Sequence, residues 1–309
     1  MSKKDNTPVL RPLLPHMRGY RVAAVLSPLF MMLEAVTDIL IPFLMADIVD
    51  IGINQGDTDL VIRRGILMIV LALVGMLFGG LSSFAGTRAG QGFGANIREA
   101  LYAKIQTFSF RHLDRFGVPT LITRLTNDTS MLAMVTTMTL RMAVRSPMLF
   151  ILALIMSIRI NAQLAVIFAV AIPVLAVIVV LVLRKARPLF RLMQTKVDNV
   201  NETIRENLTA IRVVKSFNRQ EFETERFGKR NDDLRDTALR AISLILTMGP
   251  VMNLIVYGTI VAALWFGGRQ VMVGGMQTGQ LISFVTYITQ ILMALMMLSF
   301  YFMQLTRAA

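Results

Sequence analysis

Glu34 and Asp38 lie four residues apart in one apolar run, and Arg141 and Arg145 repeat that spacing beside another. Four residues is about one helical turn, so each pair presents its charges on one helix face. Counted from run ends near Val49 and Ser157, all four fall about 16–24 Å deep at 1.5 Å per residue. Ionisable groups at that depth are costly and face a partner or a water-filled cavity. Two chemistries fit. Either the acids and arginines pair and fasten helices together, or Glu34 or Asp38, with Arg145, faces a cavity that attracts cationic, amphipathic compounds. In the last apolar run, Met293, Met296 and Met297 share a face near Tyr287, Gln290 and Phe300. Flexible thioethers beside aromatics suit a surface that accepts many shapes, and equally suit gap-filling between helices. Tyr287, Gln290, Met293 and Met297 therefore join Glu34, Asp38 and Arg145 as candidates for a cavity wall. His16 and His112 are far apart and cysteine is absent, so neither a metal site nor a disulfide framework is expected.

The elements that must position these groups are membrane spans. Of 309 residues, 55% are hydrophobic and only 17% charged, too few to cover a soluble core of this size. Six apolar stretches stand out, at residues 22–49, 65–84, 143–160, 164–183, 241–266 and 278–303, most near or above the roughly 20 residues that cross a bilayer. A net charge of +13 is compatible with nucleic acid, but the basic residues flank spans instead of forming a domain, so topology explains them. With the N-terminus inside, 28 of the 32 Lys and Arg fall on the inner side. The outer turns, residues 50–60, 159–163 and 267–277, are short and glycine-bearing. The first 21 residues are polar and basic and lead into a span too long for a signal peptide, which reads as an unprocessed cytoplasmic start.

The inner connections, about 85–141 and 184–240, are charged yet keep helical periodicity. Val197, Val200, Ile204, Leu208 and Ile211 recur at spacings of three and four, and no proline falls between Pro188 and Pro250. The spans should therefore continue as helices roughly 35–40 Å past the membrane. At the first tip, Gly117 and Pro119 end the descending helix, and Thr120 caps a short one presenting Leu121, Ile122 and Leu125. At the second, Val213-Val214 weakens the helix, Asn218 with Glu221 reads as a capping box, and Phe217 is left exposed. Gly86, Gly90 and Gly94 form a smooth face for close helix approach. The Gly90–Gly94 stretch follows a helix and not a strand, which argues against a phosphate loop. Three Asn-x-Thr triplets, at Asn127, Asn201 and Asn207, fall on the inner side and are chance matches.

Leu121-Ile-Thr-Arg124-Leu125-Thr-Asn-Asp128 after the second span, and Ile211-Arg-Val213-Val214-Lys215-Ser-Phe217 after the fourth, resemble the two intracellular loops of ABC exporters of the type IV fold. The likeness covers the whole chain, including an elbow at residues 10–20 and Leu264-Trp-Phe-Gly-Gly268. With Phe110 and Pro42–Asp47 it is most like one half of a bacterial heterodimeric multidrug exporter. The resemblance implies an all-α membrane domain of six transmembrane helices, extended into the cytosol as two helical hairpins. These carry short coupling helices, at Leu121, Ile122, Arg124, Leu125 and Asp128 and at Val213, Val214, Lys215 and Phe217, that dock on nucleotide-binding domains. It implies a second transmembrane subunit, identical or related, a hydrophobic small-molecule substrate, and a bacterial inner membrane with both termini cytoplasmic. No Gly-x-x-x-x-Gly-Lys-Ser/Thr loop occurs in the sequence. ATP and magnesium would therefore sit on a partner domain, with residues 304–309 starting the linker, and this chain alone would carry no cofactor and hydrolyse no ATP. Lipid or peptide export is the nearest alternative. An ion-coupled carrier using Glu34 and Asp38 is a more distant one, against which the long hairpins argue.

Overall fold

The computed structural model describes residues 14–308, with side chains from 15 to 301. Residues 10–13 of the expected elbow, and the side chains of the expected linker, lie outside that range. Helix α1 spans Arg21–Asp47 and runs into a π-helical turn, Ile48–Ile53. Asp57 then caps α2, Thr58–Gln106, by accepting the Leu60 amide at 3.0 Å. Two short helices follow, α3 (Phe110–Phe116) and α4 (Val118–Thr123), and a π turn, Arg124–Asp128, leads into α5, Thr129–Ile160. Beyond it lie α6 (Val166–Thr209), α7 (Ile211–Ser216), α8 (Gln220–Met272) and α9 (Thr278–Ala308). No strand occurs among the described residues. Six stretches are long and apolar enough to cross a bilayer, as expected of a multi-pass membrane protein. With 49, 44 and 53 residues, α2, α6 and α8 overshoot a hydrocarbon core of about 30 Å by roughly 35–50 Å. The overshoot forms the arms that the charged, periodic connections foretold.

The chain divides into two compact units, residues 1–165 with 263–309, and residues 166–262. In the first, α1 packs on α2 and α5, and α9 packs on α5 and α1. Ala35, Ala89, Ala153, Phe284, Ile288, Ile291 and Leu292 have no exposed surface there. Small residues set the approach. A Cβ on Gly86 would lie 2.7 Å from the Ser27 hydroxyl of α1, and one on Gly94 would lie 2.8 Å from the Ala133 methyl of α5. Gly90 lies under Ala133 and Thr137 of α5. These three glycines thus form the face on which the neighbouring helices lie. Ser27 and Ser82 clasp α1 to α2 reciprocally, each hydroxyl donating to the other's carbonyl, at 3.0 and 2.8 Å.

In the second unit, ion pairs tie α6 to α8. Lys196 Nζ meets Asp233 at 2.8 Å and Arg226 meets Glu206 at 2.7 Å. The Lys196 hydrogen bond and charge hold the Asp233 carboxyl below its ordinary value. The expected apolar stripe is only partly covered. Val200 is buried, whereas Ile204, Leu208 and Ile211 stay exposed along a groove with Val214 and Phe227. Thr203, one residue from the stripe, takes the buried position instead.

Candidate functional site

In the span cluster, Arg145 of α5 reaches α1 with both ends of its guanidinium. Nη1 pairs with Glu34 Oε1, and Nη2 donates to Asp38 Oδ2 at 2.9 Å. One planar fork thus serves two carboxylates a turn apart, which a lysine has no geometry to do. Glu34 is the deeper of the two, 14% exposed against 34% for Asp38, and its second oxygen is buried without a partner. Neither carboxylate is left without a counter-charge, so the paired reading describes this geometry. Arg141 does not join them. Its stem lies against Gly86, and its Nε is buried with no acceptor.

A polar ladder next to the cluster fastens α1 to α9. Pro42 has no N–H, so the Asp38 carbonyl one turn back loses its helical donor. Gln290 Nε2 supplies one at 3.3 Å. Above it, Tyr287 donates to the Ile39 carbonyl at 2.8 Å and Ser283 to the Pro42 carbonyl at 2.5 Å. At the short-turn end, Asp50 accepts the amides of Gly279 and Gln280 at 2.5 and 3.0 Å. It caps the first turn of α9 from 229 residues away. In a bilayer this re-satisfaction of broken backbone bonds is what permits a proline inside a span.

The ladder corrects one expectation. Tyr287 has no exposed surface and belongs to the α1–α9 seam, not to an open wall. Gln290 is half-buried, with Oε1 unpartnered. Met293 and Met297 are exposed on this chain, next to buried Leu292 and Ala294.

At the first arm tip, α2 ends earlier than expected. It stops at Gln106, and Ser109 opens α3, which puts Phe110 on the surface, 86% exposed. The next break is Gly117, whose φ of +72° favours a residue without Cβ. Gly117, not Thr120, is therefore the N-cap of α4, with Pro119 in its first turn. Leu121 and Leu125 turn inward onto Leu101, Ile105 and the stacked pair Phe108–Phe116, leaving Ile122 and Val118 outside. Arg124 lies over the Phe116 ring, and Asp128 is exposed. The π turn leaves the Leu125 carbonyl to side chains. Arg98 Nε donates to it at 2.9 Å and Thr129 at 2.7 Å.

At the second tip, α7 is a separate turn and a half of helix carrying exposed Val213, Lys215 and Phe217, with Val214 facing the groove. Asn218 is not an N-cap. At φ +52° it follows the end of α7, with its amide on the Lys215 carbonyl and that of Arg219 on Val214. That double closure is a Schellman ending, and asparagine is the residue after glycine that best tolerates it. Asp50, the Ser27–Ser82 clasp and Arg98 escaped the sequence reading, since no local pattern marks such distant partners.

Among known proteins, the family model of the ABC transporter transmembrane region matches residues 25–295. An uncharacterized ABC transporter ATP-binding protein of Mycobacterium tuberculosis is 35% identical over 301 residues, which is 97% of this chain and 52% of that protein. A similarly named Bacillus subtilis protein is 33% identical over 295 residues, 96% of this chain and 52% of its own length. An ATP-dependent lipid A-core flippase of Pseudoalteromonas translucida is 23% identical over 292 residues, 94% of this chain and 50% of that protein. The chain spans about half the length of the curated relatives it matches.

Proposed function

The chain belongs to the ABC transporter transmembrane region family, and we propose that it is the membrane half of an ATP-driven exporter of hydrophobic or amphipathic compounds. The observation that carries this reading is the pair of arms. Each arm overshoots a bilayer, and each ends in a short helix with exposed apolar side chains, Ile122 on α4 and Val213 followed by Phe217 on α7. Such tips suit docking on another domain, and the relatives named as ATP-binding proteins, of which this chain spans half, suggest which domain. In this reading the arms and both termini are cytosolic, in a bacterial plasma membrane. A second transmembrane subunit, identical or related, completes twelve spans around a cavity. Nucleotide-binding domains hold ATP and magnesium and draw the tips together, shifting the spans between inward- and outward-facing populations. Multidrug efflux is one form of this activity. The flippase relative favours a second form, movement of lipid-like amphiphiles.

Inside-out vesicles containing the chain assembled with its nucleotide-binding domain test the reading. Uptake of a fluorescent amphiphile should require ATP and survive collapse of the proton gradient. Uptake that follows the proton gradient without ATP would replace the exporter with an ion-coupled carrier.

A further inference from the structure

The cluster was expected to offer a carboxylate to cationic compounds, yet both carboxylates are occupied by Arg145, and the charge left over is positive. Arg141 lies one turn from Arg145 on α5. Its Nε is buried without an acceptor, and no Asp or Glu among the described residues comes within ion-pair distance of it. The Thr139–Tyr301 hydroxyl contact, at 2.9 Å, sets the register between α5 and antiparallel α9. It puts Arg141 nearly level with Ser299, and so within about a turn of exposed Met297 and Phe300. Counted from Ser157, Arg141 is about 24 Å down a core of about 30 Å, in the leaflet on the arm side. An unpaired guanidinium there is costly unless an anion or water meets it.

Resting on the exporter reading, we propose that Arg141 receives the anionic headgroup, phosphate or carboxylate, of an amphiphile entering from the arm-side leaflet, with exposed methionines near that depth accepting its tail. Arginine suits the role because its fork meets such groups with two parallel hydrogen bonds. Gly86 contributes by leaving room for the stem, since a Cβ there would lie 3.3 Å from Arg141 Cγ. Two other fates of the guanidinium compete. It could extend to the interface and be solvated there, or reach the free Glu34 oxygen through a bridging water.

The test is equilibrium binding to the purified chain in nonionic detergent without ATP, using fluorescently labelled phosphatidylglycerol and phosphatidylcholine. The wild type should bind the anionic probe about tenfold more tightly or better, which is roughly one charge-assisted contact. Arg141→Gln should remove that preference, and Arg141→Lys should keep most of it. Inorganic phosphate at millimolar concentration should not compete, because it brings no tail. Equal affinities in the wild type, a preference that survives Arg141→Gln in a protein with unchanged melting, or displacement by free phosphate each overturns the proposal. The wild-type comparison decides even if the glutamine variant misfolds. Because no ATP is used, failure of ATP-driven transport leaves this binding result standing, and the reverse also holds.

Discussion

Arg145 Nη2 donates to Asp38 Oδ2 at 2.9 Å while its other amino group holds Glu34, so a single residue of α5 neutralises two acids of α1. Removing that guanidinium strands both carboxylates in a span. Arg145→Gln should destabilise by up to about 3–5 kcal/mol, the range for breaking a buried pair, and toward the low end because Asp38 keeps a third of its surface. Adding Glu34→Gln and Asp38→Asn should recover much of the loss. Thermal unfolding in detergent checks both, and a triple variant as unstable as Arg145→Gln would count against the pairing.

Gln290 matters because Pro42 is there. Gln290→Leu should cost about 1 kcal/mol by leaving the Asp38 carbonyl without a donor. In a Pro42→Ala background the helix supplies that donor itself, and the same substitution should be close to neutral. A double-mutant cycle measures the coupling, and strict additivity would show that the two residues act separately.

Asp50 holds the first turn of α9 by both carboxylate oxygens. Asp50→Ala should lower stability by about 1–2 kcal/mol, the upper range for lost helix caps. Hydrogen exchange should localise the change to residues near 279–283.

Gly94 has the Ala133 methyl 2.8 Å from where its own Cβ would be. Gly94→Val should push α2 from α5 and cost about 1–3 kcal/mol. The same change at Gly80, with open space around it, should be tolerated.

Asp233 titrates below its unfolded value of about 3.9 because Lys196 donates to it. A depressed carboxylate contributes stability that is present above the unfolded value and lost as pH falls through the folded one. The melting difference between wild type and Asp233→Asn should therefore be constant near neutrality and shrink at acid pH. A difference that grows on acidification would contradict the sign.

The spans and arms were legible in the sequence because they rest on period and length, which are local. So was the pairing chemistry of Glu34, Asp38 and Arg145, since two one-turn spacings at matching depth have few solutions. What was not legible depends on partners far along the chain. Tyr287 read as a cavity aromatic because its hydroxyl's acceptor, Ile39, is 248 residues away. Asn218 and Glu221 fit a capping box by spacing, but the box needs Asn218 in extended backbone, and the chain closes α7 there instead. Thr107–Ser109 carries no proline or glycine, so the early end of α2 left no mark.

The chain contains no cysteine, so Phe217→Cys introduces a unique thiol at the second tip. Derivatised with a benzophenone maleimide in the complex assembled with its nucleotide-binding domain, it tests the central claim most directly. An exposed tip that couples to an ATP-driven motor should photo-cross-link to that domain, with a yield that changes when ATP binds. No adduct in an ATP-hydrolysing complex, or labelling of intact cells from outside by an impermeant maleimide, would contradict the account.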